Sequence, residues 1–516
     1  MSTTGKRDGA LAIVLHTHMP YVEGFGTWPF GEEWLWEAMA SCYLPLLDLL
    51  DARNPPLTLS VTPVLADQLS ARGIAERFER FIDQTRRFTH AEDAAGLRAG
   101  GHSGLADELE RAWRDDYERA AERMRARGAD VLGAFARYVS WTSSATHAVL
   151  PLLASDAGVR MQVQTGIASY MDRFAGEAAA GGDASHGEGP ARSKTGRGDW
   201  CGGFWLPECA HAPHLEPILA AAGVRSTCVE LTGRFGLGAR EHLRPLVCDS
   251  GVVLWPIDRE TVSLVWSDRG YPADGVYRDY HRHTIHHHNP WRNDGEAYDH
   301  ELAVAAAREH AADFVTRVRA RVQHDGDGMP GGGLAVCALD TELLGHWWYE
   351  GLVWLEAVIE ESARQGLELV RLDDALDRYE PAPLVDTPVS PADPSASPEG
   401  SASWGVSSWG ANGDLSTWSG PAVAEMAFAT RAAELQTLAA ARTGRAGAAA
   451  VRELLALQAS DWAFMVSRGL AVPYAHERFD GHRGALTRAL DDGPEASVDG
   501  LHELASSADP SVLLAP

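Results

Sequence analysis

A chain of 516 residues is long enough to bury a large core and to hold more than one domain. Its formal charge of −27 argues against nucleic acid or an anionic membrane as partner, because phosphate binding needs clustered Lys and Arg. Seventeen Trp against thirteen Phe is compatible with a carbohydrate cleft, since indole faces pack on sugar rings, and equally with an aromatic core. The six cysteines are scattered without a C-x-x-C pair, which suits a reducing cytoplasm. The apolar run from Ala10 to Leu15 is too short for a signal sequence, and no later stretch is long enough to span a membrane.

In chain order, Leu11 to Leu15 reads as a buried strand of the parallel-sheet kind and empties into His16-Thr17-His18-Met19-Pro20-Tyr21. An H-x-H pair could ligate zinc, yet no third ligand with convincing spacing follows, and a sugar-contacting or structural pair is the better reading. A loop with Trp28 runs into a helix, and Leu57 to Val61 forms a second strand ending at Thr62. From about 66 to 140 the composition turns to Ala, Glu, Arg and Leu at helical spacing, an inserted helical subdomain. Val159 to Val163 is strand-like, with a helix as the alternative, and about 176–199 reads as a disordered insertion of Gly, Ala, Ser and charge.

Two stretches carry the chemistry. Gly203-Phe204-Trp205-Leu206-Pro207-Glu208-Cys209-Ala210-His211 and Ala338-Leu339-Asp340-Thr341-Glu342-Leu343-Leu344-Gly345-His346-Trp347-Trp348 each run apolar and then deliver a carboxylate among aromatics and histidines. One acid after a strand is ordinarily a cap or a solvated loop residue. Two, both beside Trp and His, match the paired carboxylates that glycosidic-bond chemistry requires at barrel strand ends. Further strands span Val224 to Glu230 and Val252 to Asp258, and His281, His283, His286, His287 and His288 cluster in a segment that suggests a metal only weakly, adjacent side chains pointing apart. With Leu367 to Leu372 as the last, the strands ending at His16, Thr62, Glu208, Glu230, Asp258, Asp340 and Asp373 make seven, alternating with helices as in a parallel α/β barrel. Residues 1–380 form this catalytic unit, 381–403 a Pro/Ser-rich linker, and 404–516 a C-terminal helical domain that contributes to the cleft. Trp404, Trp409 and Trp418 lie in Gly/Ser-rich sequence with little local core to enter, which favours contact with the main domain or a ligand.

These segments, with Ala145-Thr146-His147-Ala148-Val149-Leu150-Pro151 and Gln458-Ala459-Ser460-Asp461-Trp462-Ala463-Phe464, resemble glycoside hydrolase family 57 in family order, and within it the 1,4-α-glucan branching enzymes. The resemblance implies a distorted (β/α)7 barrel with Glu208 as nucleophile and Asp340 as general acid/base. It implies His16, His18, Trp28, His147, Trp266, Trp409, Trp418 and Asp461 as glucan-binding residues, no metal and no cofactor. The activity implied is retaining transfer of α-1,4 glucan segments to 6-hydroxyls on glycogen- or amylose-like polysaccharide, in the cytoplasm. An α-glucan hydrolase or 4-α-glucanotransferase of the same family is the alternative. A metal-dependent enzyme using His16 and His18, or a non-catalytic glucan-binding protein, are rivals of other classes. The span Leu231 to Leu243 has no tyrosine where the family's branching enzymes reach over the site with one, so hydrolysis is expected beside transfer.

Overall fold

The computed structural model describes residues 9–26, 30–175, 200–384 and 405–515. Ten strands occur among them: β1 (Ala10–Thr17), β2 (Thr58–Val61), β3 (Val139–Ser143), β4 (Phe204–Trp205), β5 (Ser226–Val229), β6 (Leu246–Val247), β7 (Val253–Pro256), β8 (Leu334–Asp340), β9 (Glu368–Leu369) and β10 (Ala382–Pro383). Parallel pairing runs β4-β3-β2-β1-β8, and β5 pairs parallel with β7. Two links close the circle: a parallel bridge joins Gly203 to Ser226, and Asp258 N donates to Val336 O at 3.0 Å. Seven parallel strands thus form a distorted barrel, with all eight residues of β1 buried at its centre. Fully burying one such Leu, Ile or Val stabilises by about 1.5–3 kcal/mol.

The number seven stands, with one strand exchanged. Val139-Ser140-Trp141-Thr142-Ser143 is a ring strand, hidden in the sequence because polar Ser and Thr alternate with the buried Val and Trp. The expected strand before Asp373 shrinks to the two residues of β9, which pair only with the start of β1, while Asp373 accepts the Trp141 indole N–H at 2.8 Å. Val159 to Val163 is helical, inside Asp156–Phe174. Ser155 caps that helix by accepting from Gly158 N, and Val159, Val163, Gly166, Tyr170 and Phe174 bury one face at helical spacing. Gly166 is needed there, because a Cβ would lie 2.0 Å from Ser143 O of β3.

The helical excursion runs from Pro63 to Phe135 before β3 begins. The segment read as a disordered insertion, 176–199, lies outside the described residues, as do 385–403 of the expected linker. Within the described part of that linker, Ala382 and Pro383 pair with Leu246 and Val247 as an edge strand, where proline's missing N–H is not needed. Beyond them, helices Ala424–Arg442, Ala448–Leu457, Ser460–Arg468 and Val472–Asp492 form the C-terminal region. It docks on the barrel through polar contacts as well as apolar ones: Gln162 Nε2 donates to Gln458 Oε1 at 2.9 Å, and Ala148 bridges Ala459. Seven tryptophans (Trp36, Trp141, Trp205, Trp255, Trp348, Trp354 and Trp462) are fully buried, so much of the Trp abundance is core. No described helix is long and apolar enough to cross a membrane.

Candidate active site

Strand register gathers the site. His16 of β1 stands level with Ser60 of β2 on one side and Asp340 of β8 on the other, all at the C-terminal strand ends. Glu208 follows β4 in the turn Pro207–Cys209, where Glu208 has φ +61° and Cys209 φ +49°. His147, just beyond β3, has φ +59°. Left-handed backbone at a non-glycine residue costs of order 1–3 kcal/mol and persists where surrounding contacts enforce it. Here those contacts are hydrogen bonds between the three strand ends and the C-terminal helices.

Glu208 is held at both oxygens. Ser460 Oγ donates to Oε1 at 2.8 Å and Trp409 Nε1 donates to Oε2 at 2.9 Å. Backbone pairing fixes Trp409, whose N donates to Glu208 O at 3.0 Å, while Ser407 and His211 exchange bonds at 2.9 and 3.0 Å. Ser460 in turn contacts His147 Nδ1 at 2.9 Å, His147 Nε2 meets His16 Nε2 at 3.0 Å, and His16 Nδ1 meets Ser60 Oγ at 3.2 Å. Because the Ser460 proton goes to the carboxylate, His147 must donate from Nδ1 and accept at Nε2. His16 then donates from Nε2 and accepts from Ser60. The chain Ser60, His16, His147, Ser460, Glu208 runs in one direction with both imidazoles neutral. Burial, and after it the charge of neighbouring histidines, holds both rings well below the ordinary imidazole pKa, as that neutrality requires.

His18 is the opposite case. Burial acts to lower its pKa, but Asp461, then Glu342 and Glu208, raise it above the ordinary value. Its Nε2 lies 2.9 Å from Asp461 Oδ1 and its Nδ1 3.1 Å from Thr62 Oγ1, both donor contacts open to an imidazolium. Glu342 accepts from Tyr43 OH at 2.6 Å and from His18 N at 3.1 Å, and burial pushes its carboxyl up to about 7. Asp340 is raised well above the carboxylate range by burial, then by the charges of Glu342 and Glu208. Glu208 is also raised by burial, while Trp409 and Ser460 pull it back by bonding the ionised form. Two carboxyl groups in environments that separate their titrations can serve as one acid and one anion at the same pH.

The other expected residues divide. Trp205 stacks on His16 at 4.4 Å and tilts against Trp409 at 5.1 Å, so indoles wall the carboxylate. Trp266, 38% exposed, pairs at 5.2 Å with the equally exposed Trp347, an open aromatic surface after β7 and β8. Trp418 is 3% exposed and packs with Val149 and Ala210, the latter two residues past Glu208. Trp28 and Trp404 lie outside the described residues. The histidine-rich segment is packing for the helical excursion: His286 Nδ1 lies 2.7 Å from Asp93 Oδ1, and His288 packs on His90 at 3.7 Å. Sequence reading overlooked Ser460, whose neighbour Asp461 it favoured. A serine opening a helix reads as a cap, and only the fold turns it toward Glu208.

A parallel barrel with two partly buried carboxyl groups at its strand ends, walled by indoles, is the architecture of a glycoside-processing enzyme. A profile described as glycosyl hydrolase family 57 matches residues 194–388, and one described as 1,4-alpha-glucan branching enzyme, C-terminal, matches residues 422–508. The chain belongs to glycosyl hydrolase family 57. A 1,4-alpha-glucan branching enzyme of Thermococcus kodakarensis is 31% identical, the match covering 91% of this chain and 71% of that protein. A probable 1,4-alpha-glucan branching enzyme of Mycobacterium tuberculosis is also 31% identical, over 92% of this chain and 91% of its own length. The crystal structure of a branching enzyme of this family from Pyrococcus horikoshii superposes with a TM-score of 0.81 at 28% identity, covering 98% of this chain and 97% of that one.

Proposed function

We propose that the chain is a 1,4-α-glucan branching enzyme acting on glycogen- or amylose-like polysaccharide in the cytoplasm. The observation that carries the reading is the contrast between the two carboxyl groups. Trp409 and Ser460 donate to both oxygens of Glu208 and favour its anion, whereas burial and then the charges of Glu342 and Glu208 raise Asp340 well above the carboxylate range. Glu208 attacks the anomeric carbon of an α-1,4 linkage while the Asp340 proton passes to the leaving glycosidic oxygen. The ester formed on Glu208 is then displaced by a 6-hydroxyl of a second glucan, whose proton returns to Asp340. Two inversions give net retention and an α-1,6 branch.

In this reading Trp409 and Ser460 keep the nucleophile's oxygens in place, and the Trp266–Trp347 pair offers indole faces for glucan rings. Asp461 sets the charge of His18, which faces both carboxyl groups electrostatically. The decisive experiment incubates pure protein with amylose and follows α-1,6 anomeric protons by NMR beside released reducing ends. New α-1,6 signals support the branching reading. Reducing ends without branches favour a hydrolase, and redistributed linear chains a 4-α-glucanotransferase.

A further inference from the structure

Three residues that the glycosidic chemistry does not use converge beside it. His211 lies three residues past Glu208, Glu216 opens the helix Glu216–Ala221, and Cys248 sits on the turn after β6, where its N donates to Val252 O at 3.0 Å. His211 Nε2 is 3.0 Å from Glu216 Oε1, and the imidazole nitrogen, carboxylate oxygen and Cys248 sulfur all lie within 4.8 Å of one another. The side chains come from three separate pieces of chain and are nearly withdrawn from water, at 4%, 9% and 6% exposure. Against the effect of burial, hydrogen bonds from His211 and from the Cys248 thiol hold Glu216 below the ordinary carboxylate range.

We propose that His211, Glu216 and Cys248 form a zinc site with a positioning role. One nitrogen, one oxygen and one thiolate are a borderline-soft donor set that suits zinc, whereas calcium and magnesium take oxygen ligands throughout. Zinc bonds of about 2.0–2.3 Å at tetrahedral angles put donor atoms roughly 3.3–3.8 Å apart, so the His211–Glu216 pair at 3.0 Å opens a little and the Cys248 sulfur, within 4.8 Å of both, closes by at most about 1 Å. A water fills the fourth position. On binding, Cys248 releases its proton to solvent, His211 shifts its proton from Nε2 to Nδ1, and Glu216 enters as the anion it already is. A dication with one thiolate and one carboxylate leaves no net charge in a place that would tolerate charge poorly.

The consequence reaches the site described above without touching its reacting atoms. The His211 backbone exchanges hydrogen bonds with Ser407 at 2.9 and 3.0 Å, two residues before Trp409, which holds Glu208. A metal on His211 therefore pins the turn that carries Glu208 and the segment that carries Trp409 at one point. His211, Glu216 and Cys248 act as positioning residues.

The test uses untagged full-length protein, purified without chelator and dialysed exhaustively. Elemental analysis is expected to give about one zinc per chain, falling at least tenfold in Cys248→Ala and in His211→Gln while circular dichroism is unchanged. Replacing zinc with cobalt is expected to produce a thiolate-to-cobalt charge-transfer band, lost in Cys248→Asp even though that variant still binds metal. The wild-type cobalt spectrum stands even if a variant fails to fold. No stoichiometric metal in wild type, together with no thiolate band on adding cobalt, overturns the proposal and leaves the trio a hydrogen-bonded network. Cobalt bound with full thiolate absorption in Cys248→Asp overturns it equally, by placing the metal on another cysteine.

Discussion

Glu208 and Asp340 are similar acids, and the different roles proposed for them rest on what surrounds each. Replacing Glu208 by Gln is expected to abolish turnover while leaving glucan binding nearly intact, since the amide keeps the shape but is no nucleophile; titration with a maltooligosaccharide checks binding separately. Ser460→Ala removes one bond to the ionised carboxylate, an interaction of about 1.5–3 kcal/mol, so kcat/KM should fall roughly tenfold to hundredfold. The sign of the accompanying pH effect is fixed. Ser460 lowers the Glu208 pKa, so its loss raises it, and the acid limb of the kcat/KM profile should move to higher pH while the alkaline limb of Asp340 stays. Both acids stand out in the sequence because each follows an apolar run and sits beside Trp and His. Ser460 was not, since its partner Glu208 is 252 positions away.

The short elements were the hardest to read, and they decide local behaviour. Strand β3 hid because its buried positions are only Val139, Trp141 and two small polar residues beside them, whereas β1 and β8 announced themselves as unbroken apolar runs. The span Leu231 to Leu243 has no tyrosine and is tied to the barrel's flank, with Arg321 Nη2 donating to Ala239 O at 3.0 Å and Arg240 Nη2 to Asp327 O at 3.1 Å. A span so fastened covers a glycosyl-enzyme less well than a mobile lid. We therefore expect reducing ends to accumulate in appreciable proportion to new α-1,6 linkages; linkages with almost no reducing ends would assign the covering role elsewhere. The helical excursion carries a pH dependence of its own. Burial, opposed by a bond to Arg86 O and aided by the charges of Arg86 and Arg278, lowers His90 from 6.5 to about 3, and His288 tilted against it is lowered too. The unfolded chain thus takes up protons that the folded chain refuses, so stability is full above about pH 6.5 and falls as pH drops toward 3. Comparing denaturant midpoints across that window, His90→Gln should flatten the slope by up to about 1.4 kcal/mol per pH unit.

At the scale of the whole molecule, barrel and C-terminal helices make one site. The barrel supplies both carboxyl groups, and the region beyond residue 404 supplies both donors to Glu208 and the partner of His18. Alternating strands and helices revealed the barrel, and composition revealed the helical region; their joint ownership of Glu208 could not be read, because nothing local in the Gln458-to-Phe464 segment points to a carboxylate. A chain ending at residue 384 should lose activity by roughly 10²–10⁴-fold, from two lost bonds to a charged group, and melt lower through exposure of Ala148 and Met161; amylose turnover and thermal scans check both.

That division has a bearing on synthesis. Chains emerge from the ribosome N-terminus first, at about 5–20 residues per second, and early units fold before later ones exist. The barrel strands are all present once Asp340 has emerged, yet Trp409 and Ser460 are still to come. During that interval a nascent chain holds the barrel's strands while Glu208 lacks the two donors that favour its ionised form. Both donors to Glu208 therefore arrive only with the last fifth of the polypeptide, so a prematurely terminated product is expected to share the weakened activity of the chain ending at residue 384.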